Sequence, residues 1–260
     1  MAAMTVGTID DVVAALGKII EQAWGERNRM GYFAALYRRV TRSVRDGLTQ
    51  GRFQNPAVLE RLDVVFAKRY LDALAEFQSG GTLTRSWALA LGACADSSPL
   101  ILQHLLAGMN AHINLDLGIA AAATSPGAQL AGLKPDFDQI NAILAEQVGA
   151  VESELAAVSP LLGTLAQIGL RTDHAIANFS MEKAREAAWL SAERLAATPP
   201  VLLEVTIDGL DLAVSVFGRT VLYPLLLGDE LRLIREAECE DVRKVIETLA
   251  AADAAGVSAS

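Results

Sequence analysis

The chain has 260 residues, 52% of them hydrophobic, and a formal net charge of −9 at pH 7. That much apolar material excludes a disordered chain, and the overall acidity excludes a general nucleic-acid binder, which needs a basic surface to attract phosphates. The length suits one domain, expected over residues 1–249, with a frayed Ala/Gly/Ser-rich tail over 250–260.

In chain order, Met1 to Asp11 carries no basic segment followed by an apolar run, so no secretory signal is expected and the protein is placed in the cytoplasm. A first helix is expected over Asp10–Ala23 and a second over Met30–Leu48. Residues 26–52 hold seven Arg against Glu26 and Asp46, a local charge of +5 that leaves −14 for the rest. Arg38, Arg42 and Arg45 share one helical face, which reads as a solvated basic surface. Arg29 and Tyr32, before and within an apolar turn, are placed to reach inward.

Asn55-Pro56, Ser98-Pro99 and Thr198-Pro199 each put a capping side chain before a proline at a helix start. Gly80-Gly81, Ser125-Pro126-Gly127, Ser159-Pro160 and Gly228 read as stops. The helices so bounded are Pro56–Gln78, Thr84–Ala95, Pro99–Ala123, Asp136–Val158, Asp173–Ala197, Pro199–Val221 and Asp229–Ala251. In the Asp136 run, Phe137, Ile140, Leu144, Val148, Val151, Leu155 and Val158 recur every three or four residues, one stripe of an amphipathic helix. The apolar stretch Val201–Leu227 is interrupted by Glu204, Asp208, Asp211 and Arg219 and reads as a buried helix and a turn, with no transmembrane segment. No stretch alternates with period two. The expected fold is all-α, a compact antiparallel bundle of about nine helices.

The Pro99 helix contains His104, Gly108, Asn110, His112, Asn114 and Asp116. Residues 104, 108, 112 and 116 are four apart and climb one side of a helix. Gly108 would leave an open notch between the histidines. His112 and Asp116, an i, i+4 pair, read either as ligands of a divalent metal, as an oriented general base, or as polar groups satisfied within a core. His104 lies about 12 Å further along the axis, a weaker co-ligand.

Asp138 and Asn141 neighbour each other near a helix start. Arg185 and Trp189, four apart, suit guanidinium–indole stacking. Arg185 reads as an anchor for a carboxylate or phosphate, or as half of a structural ion pair with Asp116 or Asp138. The alanines at 184, 187 and 188 would admit a neighbouring helix closely. His174, at a helix start, reads as exposed. Cys94 and Cys239 have no disulfide or metal spacing. Phosphate-loop, dinucleotide, zinc-protease and nucleophile-elbow motifs are absent from the sequence, so no nucleotide cofactor is expected.

The order Arg29–Tyr37, Phe66-Ala-Lys-Arg-Tyr70-Leu, Trp87, Gly108-Met-Asn-Ala-His-Ile-Asn-Leu-Asp116, Asp138/Asn141 and Ala184-Arg-Glu-Ala-Ala-Trp189 resembles a bacterial family common in actinobacteria, domain of unknown function five-nine-nine-five. The resemblance covers roughly residues 25–225. It implies a helical protein and no particular activity. A fainter likeness is to helical zinc hydrolases of the phospholipase C and P1 nuclease type, whose ligand spacings this chain does not match.

The expected function is an enzyme with a pocket inside the bundle, acting on a small, mostly apolar metabolite of specialised metabolism by hydrolysis, cyclisation or isomerisation. His112, Asp116 and Arg185 form its centre, and Tyr32, His104, Asn110, Asn114, Asp138, Asn141 and Trp189 its binding residues. His112 and Asp116 are also the candidate ligands of a divalent metal. The alternative is a non-catalytic small-molecule-binding or protein-interaction protein. Homo-oligomerisation stays open.

Overall fold

The computed structural model describes residues 5–164, 180–225 and 228–251. Among them it contains helices and no strand. In chain order these are α1 (Ile9–Glu26), α2 (Met30–Thr49), α3 (Pro56–Ser79), α4 (Arg85–Ala93), α5 (Ile101–Met109), a π-helical segment (Asn110–Leu117), α6 (Gly118–Thr124), α7 (Leu130–Val158), α8 (Met181–Ala197), α9 (Pro200–Leu222), α10 (Gly228–Ala237) and α11 (Val242–Ala250). A short 3₁₀ turn (Gly127–Gln129) precedes α7. His174, the expected helix start at Asp173 and most of the C-terminal tail lie outside the described residues.

Among the described residues three apolar clusters form the core, two of them large. One joins α1, α2, α11 and α5 through Leu16, Ile19, Ala34, Leu105 and Ile246. The other joins α3, α6, α7 and α8 through Leu59, Leu62, Ala120, Phe137, Ile143 and Ala188. The alanines of α8 do what their size suggests. A Cβ on Gly118 would lie 2.8 Å from the Ala188 carbonyl oxygen, so α6 and α8 pack at backbone distance.

The expected starts are met at α3 (Pro56) and, to within a residue, at α4 and α9, and are missed at α5 and α7. Asn55 makes no side-chain cap bond. α5 starts at Ile101, past Ser98-Pro99, and α9 at Pro200. Three helix starts are instead closed by acids from distant helices. Asp136 accepts from the Gln54 and Asn55 amides at 2.7 and 2.6 Å, ahead of α3. Asp211 accepts from the Arg85 and Ser86 amides and the Ser86 hydroxyl at the start of α4. Glu238 accepts from the Ile101 amide and the Ser159 hydroxyl at the start of α5. Each supplies the orphan amides of a helix N-terminus with a negative partner.

These ties explain two corrections. Asp136 is an interior residue of α7, which begins at Leu130 and carries Pro135 within it at the loss of one backbone bond. The last expected helix is two, because Glu238 turns inward between them and Asp241 caps α11 through the Arg243 amide. A third correction concerns α9. Only the face carrying Asp211, Val214, Gly218 and Val221 is buried, while Val201 is 85% exposed and Val205, Leu212 and Val216 also lie open. No described helix is long and apolar enough to cross a membrane.

Asp136→Ala removes two charge-assisted bonds to the Gln54 and Asn55 amides and opens a gap beside α3. It should lower the urea-unfolding free energy by about 1–3 kcal/mol. Asn55→Ala, at the local cap position, should stay within about 0.5 kcal/mol of wild type.

Candidate functional site

The segment that gathers the polar residues of α5 and α6 is wound as a π-helix, with i→i+5 backbone bonds. Such segments are rare and recur at functional sites. Ties from three neighbours accompany it. Asn110 donates to the Val214 carbonyl of α9 at 2.9 Å and accepts from Asn114 at 2.8 Å. Asp116 accepts from Arg69 Nε of α3 at 2.6 Å and from Trp87 Nε1 of α4 at 2.8 Å.

Asp116 is fully buried, and its Oδ2 also faces His112 Nδ1 at 3.3 Å. Burial, against the pull of Asp116, lowers the His112 pKa, so the ring is neutral at pH 7. A neutral ring beside an accepting carboxylate carries its proton on Nδ1, which leaves Nε2 as a bare acceptor. Nε2 is buried and, among the described residues, has no hydrogen-bond partner. The ring itself is clamped flat on Phe66, with centroids 3.6 Å apart and planes 7° from parallel, and Tyr37 meets it edge-on at 4.5 Å.

His112 lines a cavity of about 740 Å³ between α2, α3, the π-segment, α7 and the start of α8. Most of its described wall is apolar, including Phe33, Leu36, Leu62, Ile113, Ile140 and Leu144. Two further polar groups on that wall are buried and, among the described residues, without hydrogen-bond partners: Tyr37 Oη and Asp63 Oδ2. Burial, helped by Glu60, raises the Asp63 carboxyl to about 7. Burial also holds the Tyr37 phenol well above its ordinary 10. Arg185 lies at the α7–α8 side. It donates from Nε to Asn141 Oδ1 at 2.6 Å and from Nη2 to the Phe137 carbonyl, and it stacks over the Phe137 ring at 4.3 Å. Among the described residues its hydrogen-bond partners are neutral, and burial lowers its pKa to about 10.

Of the residues expected at the site, the cavity wall holds His112, Asn141 and Arg185, with Asp116 directly behind His112. The others lie elsewhere. His104 packs in α5 against Tyr32, ring centroids 6.1 Å apart, and burial drops its pKa to about 4. Asn110 and Asn114 bind the π-segment to α9. Asp138 pairs with Lys134 on the surface. Trp189 bonds Glu193 and packs on Phe137, so Arg185 stacks on Phe137 and not on Trp189. Nor does Arg185 pair with Asp116, whose partner is Arg69.

Two expectations need correction. The Gly108 notch is filled: a Cβ there would lie 2.7 Å from Phe33 Cγ. As a metal site, the His112–Asp116 pair has both carboxylate oxygens already bonded by Arg69 and Trp87, and no group of three or more His, Cys, Asp or Glu converges among the described residues. The likeness to multi-zinc hydrolases therefore finds no ligand set here. Asp63 and Tyr37 escaped notice in the sequence, although a signal for Asp63 existed. It sits within the α3 stripe Leu59, Leu62, Ala67, Tyr70, Leu71 and Leu74, an acid where the helix is otherwise apolar. Nothing in the sequence marks Arg69 as the partner of Asp116.

The model of a family of unknown function, DUF5995, matches residues 9–224. The chain belongs to DUF5995. No curated protein and no solved structure matches it. The matched span of DUF5995 covers α1 through α9, and so every described residue named above on the cavity wall.

Two outcomes follow from this geometry. Gly108→Leu forces a side chain into Phe33 and should destabilise by about 1–3 kcal/mol, measured by urea unfolding. Asp63 keeps its proton up to about pH 7 in the fold, against an ordinary 3.8, so between those values the native chain holds a proton the unfolded chain has released. Stability then falls with rising pH across that window and stays lowered above it. Asp63→Asn should accordingly raise Tm at pH 8 and give no gain near pH 3.

Proposed function

We propose that this protein is an enzyme that takes a small, mostly apolar molecule into the cavity beside the π-segment and moves a proton with His112. The observation that carries this reading is the buried, unpartnered Nε2 of a neutral imidazole on an apolar cavity wall. An acceptor left bare in a dry site costs stability. Here Asp116 fixes the tautomer, Phe66 fixes the ring plane, and Arg69 with Trp87 fixes Asp116. That much support for a group with no protein partner is the arrangement a general base requires.

Each residue has a distinct part. His112 Nε2 accepts the proton, and Asp116 stabilises the imidazolium that forms. The apolar wall excludes water and sets the class of substrate. Arg185, whose protein partners are neutral, holds a negatively charged or strongly polar end of the molecule near the α7–α8 side. No metal is assigned a part, since the oxygens of Asp116 are engaged by protein donors. A non-catalytic carrier would use the same cavity and would have no need of the His112 tautomer.

Incubating the protein in D2O with an apolar small-molecule extract, followed by mass spectrometry, separates the two. The expected result is one or more compounds that gain deuterium or change structure with wild type and not with His112→Gln. Leu144→Trp, which fills the cavity wall, should abolish the same signals while the protein still unfolds cooperatively. Signals that are absent, or indifferent to His112, would sink the catalytic reading.

A further inference from the structure

Among the described residues, buried acids are satisfied with one exception. Asp116, Asp136, Asp211 and Glu238 each accept bonds from amide, hydroxyl, indole or guanidinium donors. Asp63 is as buried as a core residue, at 8% exposure, yet no hydrogen bond or ion pair reaches it among the described residues, and its Oδ2 is closed off from solvent. Its place is not arbitrary. It stands one turn before Phe66 on α3, the ring on which His112 lies, and it borders the same cavity. Tyr37 borders that cavity too, with its hydroxyl buried beside the Thr41 side chain and, among the described residues, without a hydrogen bond, and its ring 4.5 Å from the imidazole.

Resting on the reading of His112 as a base in this cavity, we infer that Tyr37 and Asp63 together hold the carbonyl oxygen of an apolar ketone, aldehyde or ester substrate, and that the proton His112 removes comes from the carbon next to that carbonyl. Both groups are hydrogen-bond donors in the state that burial favours, a neutral phenol and a neutral carboxyl. A carbonyl oxygen has two lone pairs and accepts from both. Donors fixed in a dry wall stabilise negative charge that develops on that oxygen far better than water does. A carboxyl kept neutral for this purpose is a known catalytic device in other proteins.

The step balances within one molecule. His112 Nε2 takes the α-proton, the C–H electron pair becomes the carbon–carbon double bond of an enolate, and the carbonyl π pair moves onto the oxygen held by Tyr37 and Asp63. The imidazolium then returns its proton to a carbon of the same molecule and the C=O bond reforms. Return to the original carbon gives exchange or inversion there. Return to a conjugated carbon shifts a double bond. No oxidant, reductant or co-reactant is consumed. The class of reaction is therefore carbonyl-directed isomerisation.

Three naphthalenes of similar shape test this: 2-acetonaphthone carries the carbonyl, 2-ethylnaphthalene lacks it, and 2-(aminomethyl)naphthalene carries a cation in its place. Fluorescence titration should show the ketone binding about tenfold or more tighter than the hydrocarbon, the scale of two hydrogen bonds made in a dry site. Tyr37→Phe and Asp63→Leu should each reduce that preference about threefold or more, and Asp63→Asn, which still donates through its amide, should keep it. In D2O the methyl protons of the bound ketone should exchange faster with wild type than in buffer, with the gain lost in His112→Gln.

Equal binding of ketone and hydrocarbon would overturn the carbonyl assignment and leave the cavity reading standing. Tighter binding of the cation, lost in Asp63→Asn, would overturn it in favour of an ammonium site. Failure of all three to bind would overturn the cavity reading on which the inference rests.

Discussion

A carboxylate removed from water must find donors or give up its charge, and much of this fold follows from where that demand is met. Asp136, Asp211 and Glu238 each turn inward onto the amides that begin a helix remote in sequence. The same bond discharges two costs, the buried acid's and the helix terminus's orphan N–H groups. Because each acid lies far along the chain from the helix it caps, the ties also decide which helices are neighbours: α7 with α3, α9 with α4, and the α10–α11 junction with α5.

Asp116 meets the same demand in a different way, and the site grows from it. Its donors come from α3, α4 and its own segment, so a single carboxylate holds three parts of the bundle in register. One of those donors is His112, whose other nitrogen is thereby aimed away from the hub. The His112 ring then stacks on Phe66, one turn along from Asp63, which the network leaves out. The cavity wall is in this sense a by-product of satisfying Asp116, and His112 Nε2, Tyr37 Oη and Asp63 Oδ2 on it are groups that, among the described residues, the network leaves without partners.

Much of the site's polar character was legible in the sequence because an apolar helix carrying His112, Asn110, Asn114 and Asp116 breaks its own pattern. What each of those residues does was not. Asn110 and Asn114 serve the contact with α9, and His104 serves a packing contact with Tyr32. Gly108 illustrates the limit well. A glycine in a helix can leave space or admit a neighbour, and only the position of Phe33 decides between them. Arg185 was identifiable as an anchor for an anion or half of an ion pair, while its burial and its choice of Phe137 over Trp189 depended on how α7 meets α8.

Periodicity, composition and the absence of alternation determined by themselves that the chain is helical, where most helices run, and which faces are apolar. These are local properties, set by side chains within a turn or two of each other. The tertiary structure alone decided the long-range caps of α3, α4 and α5, the π-helical winding, the partner of Asp116 and the standing of Asp63. Each of those depends on a donor that arrives from elsewhere in the chain, or fails to arrive. A single sequence records that an acid is present at position 63; only the packed helices show that no donor meets it among the described residues.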